Sequence, residues 1–514
     1  MSVAQSALDT LPEAHDAPPK LPIKDLLILA SVRFAEPVSF TSVNPYIFFF
    51  ILSFGIAEAD VGFYAGLIFA TFPLAEFATS LFWVRLSDRI GRRKVILICL
   101  AGCILPTLLF GFSRSVGEAM LWRTLTGLIN GNSPVIATAC AELVTYKPHQ
   151  ALAFSVMPVT WTLGSIIGPM LGGSLSDPVQ QYPAWFKSDT PLRQFLLKFR
   201  FSLPGIVCAS LFLVTLIVAV VGLKEPPAAV RPLSQAEEPS ERTRLLSRPS
   251  DEDNSNNNGR PETTASDSEK APLTLWQEAK YLTPCIYTNL GLSALVCFVT
   301  MSTDQVFPLL ASTSRELGGL ALASPQVGTI YTGTSVACIL GQLLFHVVHR
   351  NIGSRGCLRV SSTFCLITCL TFPNMVNLAY LIDKGKPETS TARQQNAILC
   401  LAMLCLVTQR IAGILAFPSL VILLTNAVPS VSVPQSDGDH AGAPVRSLLG
   451  TVNGLSQATN CAFRGIGPLM MGPFWAWSIR SQHRWVFWTF IAGLGCSIWV
   501  ITRIGKLEEE EGET

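Results

Sequence analysis

Charge is scarce in this chain. Of 514 residues only 14% are Asp, Glu, Lys or Arg, against about a quarter in soluble domains. The residues that replace them are apolar, 49% of the total, and they gather in repeated runs of about 20, the length that crosses a bilayer as a helix. Histidine is rarer still, with six residues. The sequence has no Cys-x-x-Cys pair, no Gly-rich phosphate loop, no catalytic triad and no metal constellation, so neither an enzyme nor a cofactor-bearing protein is indicated. No Asn-x-Ser/Thr glycosylation site occurs. A net charge of +2 suggests no nucleic-acid partner. Residues 1–24 hold Pro, Asp, Glu and Lys but no apolar core, so the first helix is expected to serve as an uncleaved signal. The fourteen cysteines are scattered, and Cys99, Cys103, Cys140, Cys208, Cys297, Cys338 and Cys400 lie in apolar stretches, where free Cys acts as a small buried hydrophobe.

Twelve membrane segments are expected. Six run near 26–54, 60–83, 95–113, 119–142, 152–173 and 201–223, and six near 284–306, 326–348, 357–380, 395–427, 447–478 and 485–504. Residues 225–280 between the sets are rich in Pro, Ser, Glu, Asp, Asn and Arg, a composition that cannot bury enough apolar surface to fold. The expected layout is therefore a tail (1–24), a bundle (25–224), a cytoplasmic linker (225–280), a second bundle (281–504) and an acidic tail (505–514). Short loops on the two sides carry nearly equal numbers of Lys and Arg. Orientation rests instead on the dense hinge at 83–94, where Arg85, Arg89, Arg92, Arg93 and Lys94 crowd together, which places that hinge and both termini in the cytoplasm.

Ionisable groups inside membrane helices cost several kcal/mol unless paired or hydrated, and here they are few. Arg33, Glu36, Glu76, Arg123, Arg410 and Arg464 fall within segments, with Glu142 and Asp304 near segment ends, where water is within reach. Arg33 and Glu36, three residues apart on a helix, share a face; they form either a static ion pair or part of a proton or substrate site. Glu36 and Glu76 are the carboxylates expected to carry protons. His346 and His349 are also three apart, but two His without a nearby acid or Cys make a poor zinc site.

Several longer strings narrow the reading. Gly164-Ser-Ile-Ile-Gly168-Pro169-Met-Leu-Gly172-Gly173 combines glycines four apart, which admit a neighbouring helix, with a proline that bends its own. Gly467-Pro468 with Gly472, six segments later, is its counterpart, and Arg123 with Gly127 is echoed by Arg410 with Gly413, as two parallel-related halves would leave behind. The stretch Asp88-Arg89-Ile-Gly91-Arg92-Arg93 resembles the loop between the second and third helices of the major facilitator superfamily. The Gly164–Gly173 string resembles the fifth-helix motif of its proton-coupled antiporters, and Arg123 to Asn130 its fourth-helix motif. Read with Arg33-Phe-Ala-Glu36-Pro37, Asn44-Pro45-Tyr46, Gly66 to Glu76, Asn453-Gly454 and Arg464 to Pro468, the set is similar to the zinc-induced-facilitator-like branch of the twelve-span drug:proton antiporters.

The resemblance implies an all-α integral membrane protein with twelve helices in two pseudo-symmetric six-helix bundles, and no cofactor. It implies a proton-coupled antiporter exporting a small organic solute, drug or ion; a symporter or facilitator for a nutrient, or a non-transporting sensor, are the alternatives. The cavity and proton-coupling set would be Arg33, Glu36, Glu76, Arg123, Asn130, Asp304, Arg410 and Arg464. Asp88 would latch the halves, with Arg89, Gly91, Arg92 and Arg93 beside it, although Val84 stands where the motif opens with glycine. The partners expected are the solute, protons and lipid, with a monomer as the working unit. Glu241, Leu245 and Leu246 resemble an acidic dileucine sorting signal, so the plasma membrane and a vacuolar or endosomal membrane are both expected sites.

Overall fold

The computed structural model describes residues 22–144, 147–186, 189–225, 282–383, 391–427 and 449–505. Residues 226–281, with Glu241, Leu245 and Leu246, lie outside these. The described residues form helices and turns, with no strand among them. In the first half, α1 (Ile23–Thr41) and α2 (Ile47–Leu52) make the first span, α3 (Val61–Ile90) the second and α4 (Arg92–Phe110) the third. The fourth span comprises α5 (Val116–Ile129) and α6 (Asn132–Leu143), and the fifth is α7 (Lys147–Leu175). Short helices α8 (Pro178–Gln181) and α9 (Pro191–Lys198) precede the sixth span, α10 (Ser202–Gly222). In the second half, α11 (Pro284–Ser312) is followed by α12 (Ser324–Asp383), α13 (Ala392–Ala427), α14 (Leu449–Arg480) and α15 (Arg484–Ile504).

Helix α12 holds 60 residues, about 90 Å of helix at 1.5 Å per residue, three times the thickness of a bilayer core. It is two spans folded at Gly353, whose φ of 67° and ψ of 178° interrupt the helical backbone. Gly91 makes the matching turn between α3 and α4 with φ 100°. A side chain is strained at positive φ, so glycine occupies both hinges even though the residues around Gly353 have lost the basic pattern of the first hinge.

Two spans expected as continuous are broken. The first unwinds at residues 42–46, where Pro45 removes a backbone donor, and the fourth at Asn130-Gly131, just ahead of Pro134. Among the described residues seven helices are long and apolar enough to cross a membrane by length and composition alone. The two broken spans, α7 and α14 complete twelve crossings, with α12 counting twice. Leu81, Val221, Leu343, Leu381 and Ile504 point outward, an apolar surface that suits lipid rather than water.

The halves repeat each other's packing. Helix α1 lies on α7 as α11 lies on α14, and α4 lies on α10 as the second arm of α12 lies on α15. Between the halves, α3 crosses α14 and α7 crosses α12. At the first crossing a Cβ on Gly66 would sit 2.5 Å from the Pro468 carbonyl oxygen, and one on Gly472 would sit 2.6 Å from the Gly66 Cα. At the second, Gly173 and Gly328 meet backbone to backbone. These contacts lie on the side of the molecule away from the Gly91 and Gly353 hinges. The same far side carries an ion pair between Asp60 and Arg480 and a bond from the Ser314 amide to Glu58 Oε1 at 2.5 Å. The halves are thus closed on the far side.

Candidate functional site

The centre of the molecule is built from spans that begin hundreds of residues apart. On α1, Arg33 and Glu36 form the ion pair their spacing allows. Glu76 on α3 receives Arg464 Nη2 from α14, in the other half, at 3.2 Å, and the same nitrogen lies 3.7 Å from Glu36 Oε1. Asn130, at the break in the fourth span, sends Nδ2 to Glu76 Oε1 at 3.5 Å. All of these are buried, Glu76 to 1% exposure. Both carboxylates therefore lean on one guanidinium that belongs to the opposite bundle, and any rocking of the halves must stretch or break that link.

Trp161 on α7 holds the two arginines from another direction. Its ring lies 5.1 Å from the Arg33 guanidinium carbon and 4.3 Å from that of Arg464, within cation–π range. The sequence reading missed Trp161. Its one available signal was position, three residues before Gly164 and so on the glycine face of the same helix.

The other expected residues separate into groups. Arg123 joins no carboxylate among the described residues. It donates to the Phe40 carbonyl at 3.2 Å and sits among the rings of Phe40, Phe72 and Phe110. Asp304 is buried inside α11 rather than near water, bound to Arg410 at 3.0 Å and to Gln409 at 2.5 Å. An inward-pointing acid with two donors on α13 needs no interface, which corrects the placement near a segment end. Gly164 and Gly168 bring α7 against Pro37 and Val38 of α1, while Gly172 packs on Ser42 and Gly173 on the second half. Pro169 lies within α7, whose helix runs through it.

At the hinge, Arg92 binds Asp88 at 2.5 Å, Glu142 at 2.9 Å and Ser87. Arg93 reaches the Val220 carbonyl at 2.8 Å, and the Glu225 carboxylate caps the start of α4 by accepting from the amides of Arg92 and Arg93. Arg89 is exposed. The partners of Asp88 in this state therefore lie in its own half. His349 meets Ser354 at 2.8 Å, and no cluster of three potential metal ligands occurs among the described residues.

Beside Trp161 a cavity of about 110 Å³ reaches from Arg33 and Arg464 along Met157, Leu424 and Ser456. Those last three lie toward the hinge ends of their helices, so the cavity sits on the hinge side of the charge network. A smaller cavity of about 30 Å³, which also touches Trp161, is bounded by Asp304, Gln409 and Arg410.

Two helical bundles, closed against each other at one side and enclosing buried charge near mid-membrane on the other, define a secondary transporter of the alternating-access kind. The chain belongs to the Major Facilitator Superfamily, whose family model matches residues 29–468. It is 29% identical to the Major facilitator superfamily multidrug transporter mfsB of Aspergillus fumigatus, over 95% of this chain and 84% of that one. It is 27% identical to ZINC INDUCED FACILITATOR-LIKE 1 of Arabidopsis thaliana, over 87% and 82%. Among solved structures, a bacterial homolog of the human lysosomal transporter Spinster, in an inward-facing and unoccupied conformation, superposes with a TM-score of 0.57 at 14% identity, covering 96% of this chain and 100% of that one. The protein is thus a transporter rather than an enzyme, in a drug-type branch of the superfamily.

Proposed function

We propose that this transporter moves a small organic solute out of the cytosol by alternating access coupled to protons, with Glu76 and Glu36 as the proton carriers. The observation that carries the reading is the bridge from Arg464 to Glu76 across the two halves at 3.2 Å. A proton on Glu76 removes the nearer of the two carboxylate charges that hold Arg464, and so loosens one bundle from the other. The dense basic hinge at 85–94 assigns the hinge side to the cytosol, and the cavity then opens inward in this conformation. Exchange of solute for protons is supported by the glycine string of α7 and by the drug-transport name of the fungal relative. Co-transport of proton and solute is the second reading, favoured by a cavity wall that presents arginine instead of carboxylate.

Asp88 acts as a latch in the opposite state, with Arg92 as its resting partner here. Arg123, held by rings and one carbonyl, raises the positive potential around the carboxylates. The two bundles, 25–224 and 281–504, work as a monomer, and the sequence around Glu241, Leu245 and Leu246 directs the chain toward a vacuolar or endosomal membrane. Proteoliposomes with an entrapped pH-sensitive dye test the core of the proposal. Solute addition should move protons in the wild type and not in Glu76→Gln; proton movement unchanged in both Glu76→Gln and Glu36→Gln would refute it.

A further inference from the structure

Among the described residues four buried guanidiniums, those of Arg33, Arg123, Arg410 and Arg464, occupy the interior against three buried carboxylates, Glu36, Glu76 and Asp304. The remaining buried acid, Asp177, follows the far-side end of α7 and pairs with Arg200. Among the described residues Arg33 pairs with Glu36, Arg464 with Glu76 and Arg410 with Asp304, and Arg123 is held by the Phe40 carbonyl and three rings. Two of these paired guanidiniums still face open space. Arg33 and Arg464 line the larger cavity with Ser293, Gln457 and Asn460, and among the described residues no carboxylate lines it. Glu36 and Glu76 grip the same guanidiniums from outside the lining, and Arg464 Nε makes no hydrogen bond. A cationic solute entering from the hinge side would meet two positive charges first.

We infer that the central cavity takes a small organic anion, its negative group on Arg464 and Arg33 and its apolar part against the Trp161 side of the wall. The inference rests on the transport reading above for its meaning as substrate, while the binding itself is measurable apart from transport. Around Glu76 the charged neighbours are Arg464 from α14 and, through it, Arg33 and Glu36 from α1, with the neutral Asn130 opposite. An anion on Arg464 and a proton on Glu76 open the same bridge from its two ends. This ligand class therefore favours the second reading above, co-transport of proton and solute, over exchange, in which a cation would replace Arg464 at Glu76.

The test uses the full chain, purified in nanodiscs, titrated calorimetrically with three probes of one shape: benzoate, benzyl alcohol and benzylammonium. Benzoate should bind at least about tenfold more tightly than the other two, and Glu76→Gln, which frees Arg464, should tighten benzoate about tenfold more, a change of 1.4 kcal/mol. The double variant Glu76→Gln with Arg464→Gln removes one charge of each sign, keeping the interior balance while deleting the anion's partner, and should lose benzoate binding. Benzylammonium or benzyl alcohol binding as well as benzoate, no benzoate binding at all, or benzoate binding that survives in the double variant would each overturn the inference. Proton movement in the dye-loaded vesicles is read separately: its absence in the wild type sinks proton coupling and leaves the anion result standing.

Discussion

The two halves solve the same problem of buried charge in opposite ways. In the second half Asp304 is served entirely from its own bundle, by Arg410 and Gln409 on α13. In the first half Glu76 takes a hydrogen bond only from Asn130, at 3.5 Å, among the described residues, and its cation is Arg464 of the other bundle. A carboxylate saturated within one rigid body keeps its partners as the bodies rock. One that depends on the opposite body changes its surroundings with every cycle. The proposed mechanism accordingly rests coupling on the first-half cluster and leaves the second-half cluster to structure, although both hold an acid and an arginine at similar depth.

The hardest blow to that contrast is Arg464→Gln, which leaves two buried carboxylates sharing Arg33 alone. Breaking a buried pair from one side costs about 3–5 kcal/mol, so thermal unfolding of the purified protein should fall sharply and transport should vanish. Asp304→Asn sharpens the comparison. It should destabilise by about 3 kcal/mol, at the low end of that range because Gln409 still reaches the amide oxygen, yet leave the number of protons moved per solute unchanged in vesicles. A changed stoichiometry would erase the distinction between the halves.

Smaller effects probe the seam. Gly66→Ala forces a methyl group onto the Pro468 carbonyl; overpacking of this kind costs about 1–3 kcal/mol. The far side should then spend more time open, seen as faster labelling of a cysteine introduced at Ser314. Trp161→Leu removes the ring beneath both arginines, worth about 1–2 kcal/mol, and should weaken solute binding roughly tenfold with little change in melting temperature. Least of all, Arg480→Ala deletes the ion pair of an exposed arginine with the half-buried Asp60, worth about 0–1 kcal/mol, and should change transport by less than twofold at physiological salt.

Much of this site was legible where the signal is local. Arg33 and Glu36 three apart on a helix meet because a helical turn brings them together, and the glycines of α7 mark a face because they recur every fourth residue. The breaks at Pro45 and Asn130-Gly131 carried visible helix-breaking residues, but each lay inside an apolar run long enough to read as one span. Asp304 looked close to an end because its helix extends further than the apolar run suggests. The pairing of Arg464 with Glu76, separated by 388 residues, had no local signature at all, and neither did the role of Trp161.

By itself, then, the sequence determined a twelve-span membrane chain, the repeat of its halves, the basic hinge around Gly91 and most of the ionisable residues that lie in the interior. Hydrophobic length, glycine spacing and the cost of burying charge are properties of short stretches, and they survive without knowledge of the neighbours. The tertiary structure alone decided that Arg464 answers to Glu76 and Arg410 to Asp304, that Arg123 stands among rings and not acids, and that the cavity wall is cationic. Those facts follow from how two bundles cross at Gly66 and Gly472, and a crossing is set by the packing of both surfaces together.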